Sequence, residues 1–292
     1  MIDLSYVAQI VVSGIGVGCI YGLIAIGFCV IYNASGIVNF AQGAFVMLGG
    51  IVTHVLLQSY GVPLILAALC ATAFVACVGV LIERVVVRPL WDRNASMFVM
   101  ILATLAVQIV IERATLIAVG DQPKALPMFT DRPPLRLGEV AISYQFLWII
   151  AASAAIILGL GSFFARTRVG KAMRACAINR EAALLQGIPV SRMLALSFAL
   201  SAALGAIAGI LITPTQYTAF NLGVPFAISG FIAAIVGGFG RPFGAFLGGL
   251  ALGVTQAIAV VALGAGFKNA AALSVLLVFL FLRPQGILGA AK

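Results

Sequence analysis

Long apolar runs, nearly free of charged residues, recur along this chain of 292 residues. A helix that crosses the hydrocarbon core of a bilayer needs about 20 apolar residues, and its backbone has no water to bind. We therefore predict an all-α, polytopic transmembrane bundle with eight to nine membrane segments, including interrupted or half helices. Seven runs lie near 8–32, 62–82, 96–119, 144–165, 192–213, 243–264 and 268–282. Two stretches interrupted by Gly and polar residues lie near 37–57 and 226–238.

Lysine and arginine are distributed unevenly between the predicted loops. Charged residues make up 9% of the chain, against roughly 25% in soluble domains, and the formal net charge is +9. With the N-terminus outside and nine crossings, the inside segments hold twelve of the 17 basic residues and three of the eight acids. Cytoplasmic loops carry the basic excess in membrane proteins, so this distribution predicts an N-out, C-in topology. The positive charge then indicates a lipid bilayer and not a nucleic-acid partner.

The longest predicted external loop spans 120–143 and contains four prolines. Proline removes a backbone donor and restricts the chain, so a long regular helix is disfavoured here. The loop is either a solvated connector or a surface for docking or for a lid. No separate soluble domain is predicted anywhere in 1–292, which we interpret as a single transmembrane domain.

The longest predicted cytoplasmic connection spans 166–192 and is too highly charged to enter lipid. An apolar stripe at helical spacing is formed by Met173, Ala177, Ala182 and Leu185. This pattern predicts one or two short amphipathic helices at the membrane surface. Such a stripe would pack on the transmembrane bundle or insert into a partner.

Glycines and two similar motifs bear on how the helices pack. Residues 14, 18 and 22 are all Gly, a four-residue spacing that lets helices approach closely in membranes. NFAQGAFVMLGG at 39–50 resembles GGFGRPFGAFLGG at 237–249, since both place Gly-Ala-Phe shortly before Gly-Gly. Corresponding interrupted helices in two halves indicate an internal repeat and a solute site near mid-depth. A chance match in a chain rich in Gly and Ala is the alternative.

Neutral polar residues are the candidates for a solute path, because the predicted spans contain almost no ionisable group. The alternative role for these residues is hydrogen bonding between helices. No cluster suited to metal binding or catalysis is seen, so we expect no enzyme and no metal site. The absence of an ion relay favours a passive channel or a pump driven by another subunit. The path candidates are Asn33, Ser35, Asn39, Gln42, Gly43, Thr104, Gln108, Thr255 and Gln256.

Four segments together resemble the permease family of branched-chain amino acid importers of the ATP-binding-cassette class. They are YNASGIVNFAQGAFVMLGG at 32–50, RTRVGKAMRACAINREAALLQGIPV at 166–190, the motif at 237–249, and RPQGILG at 283–289. The resemblance implies a permease subunit that moves branched-chain amino acids or related small polar solutes across a bacterial inner membrane. It also implies a second related permease, two cytoplasmic ATPase subunits that hold ATP and Mg²⁺, and an external solute-binding protein. This chain itself would bind no cofactor and hydrolyse no ATP.

The same resemblance implies that the 166–192 segment couples the permease to an ATPase. Its implied coupling residues are Arg174, Ala175, Glu181, Ala182, Ala183, Gly187, Ile188 and Pro189. The alternative hypothesis is a stand-alone channel or facilitator for a small neutral solute such as urea or an amide. A channel would need no partner subunits and would leave the coupling segment without a role.

Overall fold

The computed structural model describes residues 4–137, 140–283 and 285–288, and it is an almost entirely helical bundle. Among these residues, eight helices are long and apolar enough to cross a membrane, and Gly223–Gly237 forms a shorter apolar helix. The prediction of an all-α bundle with eight to nine membrane segments is therefore confirmed. The helices are α1 (Leu4–Ser35), α2 (Gln42–Tyr60), α3 (Leu64–Ile82), α4 (Arg88–Asp92), α5 (Met97–Val119), α6 (Tyr144–Arg166), α7 (Arg168–Ile178), α8 (Arg180–Leu185), α9 (Val190–Gln216), α10 (Gly223–Gly237), α11 (Pro242–Leu263) and α12 (Lys268–Leu282).

Helix α1 forms the centre of the bundle, and its glycines bring α11 into backbone contact. A Cβ atom on Gly18 would lie 2.8 Å from Cα of Leu250, and one on Gly14 would lie 2.7 Å from Cα of Val254. The paired residue numbers fall on α11 as they rise on α1, so the two helices are antiparallel. The close packing predicted from the four-residue glycine spacing is confirmed.

Helix α9 packs against α1, α2 and α3, and together they enclose most of the buried core. A Cβ atom on Gly209 would clash with the carbonyl oxygen of Val46, which shows how closely α2 and α9 approach. Helices α5, α6 and α12 lie at the periphery and expose large apolar side chains, including Ile117 and Phe281. Exposed apolar faces on spanning helices are the surfaces expected to meet lipid.

Helix α2 begins deep inside the bundle. Its first residue, Gln42, packs against Gly27, which stands eight residues before Ser35 at the end of α1. At 1.5 Å per residue, α2 therefore starts about 12 Å below that end. Helix α10 starts at Gly223, directly against Gly43. With 15 residues, α10 is about 22 Å long, too short for a core of about 30 Å.

The two motifs that suggested an internal repeat occupy different levels. The first lies at the deep start of α2, whereas the second covers the turn from α10 to α11. Asn33, near the end of α1, donates a hydrogen bond to the carbonyl of Gly240 in that turn. The motif at 237–249 is therefore not a mid-depth interruption of α10, and the repeat itself stays a prediction.

The predicted external loop is tied to the bundle. Strands β1 (Leu135–Leu137) and β2 (Val140–Ile142) form an antiparallel hairpin, and Gln9 exchanges two hydrogen bonds with Ala141. Lys124 pairs with Thr218 through both backbone groups. Residues 138 and 139 of this loop, and residues 284 and 289 of the C-terminal motif, lie outside the described residues.

Candidate translocation path and coupling segment

The buried start of α2 is capped by side chains from α5. The first N–H groups of a helix have no partner within the helix. Gln108 accepts a hydrogen bond from the backbone N–H of Ala44 at 2.6 Å, and Thr104 accepts one from Phe40 at 3.2 Å. Asn39 accepts one from Ala41 at 3.1 Å. Five of the predicted path residues therefore meet at this junction: Asn39, Gln42, Gly43, Thr104 and Gln108.

Gln42 is fully buried and joins three helices. Its Nε2 donates to the carbonyl of Ser201 on α9 at 3.1 Å. The Ser201 hydroxyl lies 2.6 Å from Oε1 of Gln42 and 2.9 Å from the carbonyl of Gly27 on α1. Ser201 is not among the path residues predicted from the sequence. The available signal was a pair of serines four residues apart, at 197 and 201, in the otherwise apolar stretch 193–212.

Within the part of the chain that the structure describes, two amide groups at the junction lack a hydrogen-bond acceptor. The Nδ2 of Asn39 and the Nε2 of Gln108 are both buried and unpartnered. A Cβ atom on Gly223 would lie 2.9 Å from Nε2 of Gln108, so this donor is beside the start of α10. Buried donors without an acceptor are rare and costly, by about 1–3 kcal/mol each. The two amides are therefore suited to receive water or the polar group of a solute.

The remaining path candidates lie away from the junction. Gln256 on α11 accepts a hydrogen bond from the Tyr21 hydroxyl at 2.8 Å and lines a cavity of about 400 Å³ near the first turns of α1. Thr255 bonds only to the carbonyl one turn back. Asn33 and Ser35 lie at the other end of α1, and each lines a separate cavity. The nine candidates thus form three groups along the bundle.

The predicted coupling segment folds into two short helices, α7 and α8, broken at Asn179. The Asn179 side chain accepts a hydrogen bond from the Ala182 N–H at 3.0 Å and so caps α8. The predicted single stripe is wrong, because its four residues do not share one face of the folded segment. Met173 is buried, while Ala177, Ala182 and Leu185 are exposed. The face that packs on the bundle consists of Gly170, Met173, Cys176 and Ala183.

A tight turn ends α8 and leads into α9. Gly187 has φ +76°, in the left-handed region, and its N–H donates to the Leu184 carbonyl at 2.9 Å. The Ile188 N–H donates to the Ala183 carbonyl at 3.0 Å. This pair of bonds is the Schellman motif, which satisfies carbonyls at a helix end and usually requires Gly. Ala183 and Ile188 belong to the same apolar cluster, so they anchor the turn from the inside.

Two arginines connect the coupling segment to the end of the third span. Arg180 at the start of α8 lies over the Trp91 ring, 3.9 Å from its centroid, and burial lowers the pKa of its guanidinium. Arg88 pairs with the buried Glu83 at 2.9 Å and also donates to the Ser191 carbonyl at 3.2 Å. The π-helical turn Glu83–Val87 joins α3 to α4 and sets the five-residue separation of this pair. Helix α3 ends at Ile82, as the apolar run predicted, and the helical stretch continues through the π-helical turn and α4 to Asp92.

The fold and the buried polar junction define a multi-pass helical membrane protein with features suited to transport. In the stretches of chain that the structure describes, no three His, Cys, Asp or Glu side chains come together as a metal site would require. Residues 10–282 match the protein family described as branched-chain amino acid transport system / permease component. The chain belongs to this permease family, which confirms the resemblance seen in the sequence.

Individual relatives agree with the family match over nearly their whole length. The chain is 34% identical to the high-affinity branched-chain amino acid transport system permease protein BraD of Pseudomonas aeruginosa, over 99% of this chain and 98% of BraD. It is 32% identical to the corresponding protein LivH of Salmonella typhimurium and 31% identical to LivH of Escherichia coli, each over 97% of this chain and 96% of the relative.

One solved structure shares the fold at low identity. It is PsaBC from Streptococcus pneumoniae in complex with Fab, with a TM-score of 0.50 and 13% identity. The match covers 95% of this chain and 92% of that one. At this identity the likeness concerns the fold alone.

Proposed function

We propose that this chain is the permease subunit of an ATP-binding-cassette importer in a bacterial inner membrane, oriented N-out and C-in. Its solutes are branched-chain amino acids or related small polar molecules. It works with a second related permease, two cytoplasmic ATPase subunits that hold ATP and Mg²⁺, and an external solute-binding protein. It binds no cofactor and catalyses no reaction itself. Family membership supports the transport role and does not favour the stand-alone channel.

The observation that carries this proposal is the exposed apolar surface of the coupling segment. Ile178 and Leu185 are 87% and 88% exposed, and Leu184 is 58% exposed. Large apolar side chains at such exposure on a charged, loop-borne helix pair mark a binding surface. An ATPase groove that receives α8 would cover them.

The implied coupling residues divide into two roles in this proposal. Ala183 is buried and Ile188 is half-buried, so they hold α8 against the bundle. Gly187 and Pro189 shape the turn into α9. The residues that contact the ATPase are Ala175, Glu181 and Ala182, which are exposed or half-exposed, whereas Arg174 lines a cavity between α7 and the bundle.

Movement of α8 would reach the membrane spans through Arg180 and then through Arg88 on α4. Arg180 transmits to α4 through Trp91, and Arg88 joins α4 to the start of α9 at Ser191. Helix α9 in turn holds Gln42 at the start of α2 through Ser201. A displacement of α8 therefore acts on the polar junction through packed helices and hydrogen bonds.

The junction between α2, α5 and α10 is the proposed mid-depth part of the solute path. The N-termini of α2 and α10 meet there, and helix N-termini favour negatively charged groups such as a carboxylate. The free amides of Asn39 and Gln108 add two hydrogen-bond donors. Gly43 and Gly223 are in backbone contact, so this part of the path is closed in the present conformation.

The test is ATP-driven uptake in proteoliposomes that contain the complete importer and its binding protein. Glu181→Lys and Gly187→Trp should abolish uptake while leaving membrane insertion and assembly of the two permeases intact. Gly159→Trp is the matched control, because residue 159 also has open space around it but lies on α6. Normal uptake with both coupling variants would contradict the assigned coupling segment. Solute flux through liposomes that contain this chain alone would support the channel instead.

A further inference from the structure

A cavity of about 450 Å³ opens between α1, α6, α7 and the turn from α10 to α11. This volume lies within the range of ligand-binding pockets, roughly 300–1,000 Å³. Its walls are mostly apolar and include Ile26, Val30, Leu160, Phe164, Met173 and Phe243. Gly161 keeps one side open, since a Cβ atom there would meet nothing within 4 Å.

Of the described residues that line the same cavity, two are arginines and none is acidic. Arg174 projects from α7 and Arg241 from the α10–α11 turn, and both are exposed. Arg241 donates to the carbonyl of Leu288. Among the residues described, the recorded ion pair is that of Glu83 with Arg88, so no carboxylate there neutralises either guanidinium. The cavity thus combines an apolar interior with two positive charges beyond the ends of the spans.

We propose that this cavity binds an anionic phospholipid of the leaflet on the α7 side. An acyl chain fills the apolar interior, and the headgroup phosphate accepts hydrogen bonds from Arg174 and Arg241. Basic pockets between spans recognise anionic lipid headgroups, and guanidinium groups suit phosphate oxygens geometrically. A free phosphate ion would use the two arginines but leave the apolar interior empty. The lipid is therefore the occupant that matches both parts of the cavity.

The position of the cavity gives the lipid a role beyond solvation. Met173, Arg174 and Ala177 contribute the α7 wall, while Arg241 lies on the connection to α11. A bound lipid therefore bridges the coupling segment and the bundle. We expect it to stabilise α7 on the bundle, independently of any transported solute.

The binding test uses purified full-length chain in nanodiscs of phosphatidylcholine with graded phosphatidylglycerol. Native mass spectrometry measures the phosphatidylglycerol retained on the protein. The change Arg174→Gln with Arg241→Gln should weaken retention of phosphatidylglycerol by about 100-fold, from roughly tenfold for each charge-assisted hydrogen bond to phosphate that is lost. The matched control, Arg166→Gln with Lys171→Gln, removes two exposed basic residues from the same side, outside the cavity. This control variant should retain as much phosphatidylglycerol as the unaltered protein.

A second pair of variants tests the apolar interior with both arginines in place. Gly161→Trp should fill the cavity and displace the lipid, whereas Gly159→Trp on the same helix should not, although its Cβ position is equally open. If the Arg174/Arg241 variant and the Arg166/Lys171 control lose equal amounts of phosphatidylglycerol, general attraction to the basic surface explains the binding and the proposal is overturned. Equal retention of phosphatidylcholine, competition by inorganic phosphate, or full retention by Gly161→Trp would also overturn it. Because none of these measurements uses transport, they are independent of the proposed function.

Discussion

The turn at Gly187 allows a backbone effect to be separated from a steric one. The φ angle is +76°, yet a Cβ atom there would meet nothing within 4 Å. Gly187→Ala therefore adds no clash and only forces an L residue into the left-handed region, at about 1–2 kcal/mol. That strain should shift the opening equilibrium of the turn by about 5- to 30-fold. Gly187→Asn should have a smaller effect, because Asn enters this region more readily.

The assay is hydrogen–deuterium exchange with mass spectrometry on peptides that cover residues 180–190. The backbone amides of Gly187 and Ile188 should exchange faster in the Ala variant, since both donate within the turn. Gly159→Ala serves as the control of opposite sign, because Ala stabilises a helix interior relative to Gly by up to about 1 kcal/mol. Unchanged exchange in the Gly187→Ala variant, or the same increase in both variants, would refute the strain argument.

Three further results are expected. Gly209→Ala should lower the free energy of unfolding by about 1–3 kcal/mol, through overpacking against α2, and so lower the thermal midpoint. An unchanged midpoint would contradict the backbone contact. Glu83→Gln should also destabilise by about 1–3 kcal/mol, because Arg88 loses its carboxylate. The double variant Glu83→Gln, Arg88→Gln should lose less stability than the sum of the losses in the two single variants. Additive losses of stability would argue against a direct interaction of Glu83 with Arg88. Burial raises the pKa of the Cys176 thiol. Cys176 should therefore react with maleimide more slowly than the thiol of an Ala177→Cys variant, and its reaction should require a higher pH. Equal rates would show that Cys176 is accessible.

Hydropathy identifies the spanning helices well because lipid removes the alternatives to a helix. Hydropathy does not reveal how far the helix itself continues where a charge is neutralised inside the structure. Glu83 signals the end of a span, yet the helix continues, since Arg88 provides its partner across the π-helical turn. A partner at five-residue spacing is not apparent from an apolar run, because α-helical neighbours are three or four residues apart.

The role of a neutral polar residue depends on contacts that the sequence does not reveal. Gln108 and Thr104 are four residues apart on α5, and this pattern fits either a path or an interhelical contact. In the structure their oxygens cap α2, whereas Nε2 of Gln108 remains free, so one side chain has both a structural bond and an available donor. The apolar stripe of the coupling segment failed for a related reason, since packing of α7 buries Met173 and leaves Ala177 exposed.

The deep start of α2 also constrains when this helix can complete its insertion into the membrane during synthesis. Its caps lie 64 residues further along the chain, and its bond to Ser201 reaches 159 residues ahead. At about 5–20 residues per second, the ribosome supplies the α5 caps about 3–13 s after α2, and Ser201 about 8–32 s after it. During that interval the first amides of α2 have none of these native partners. The nascent chain must therefore keep this segment in a hydrated or assisted environment, and insertion of α2 is completed only with the later helices.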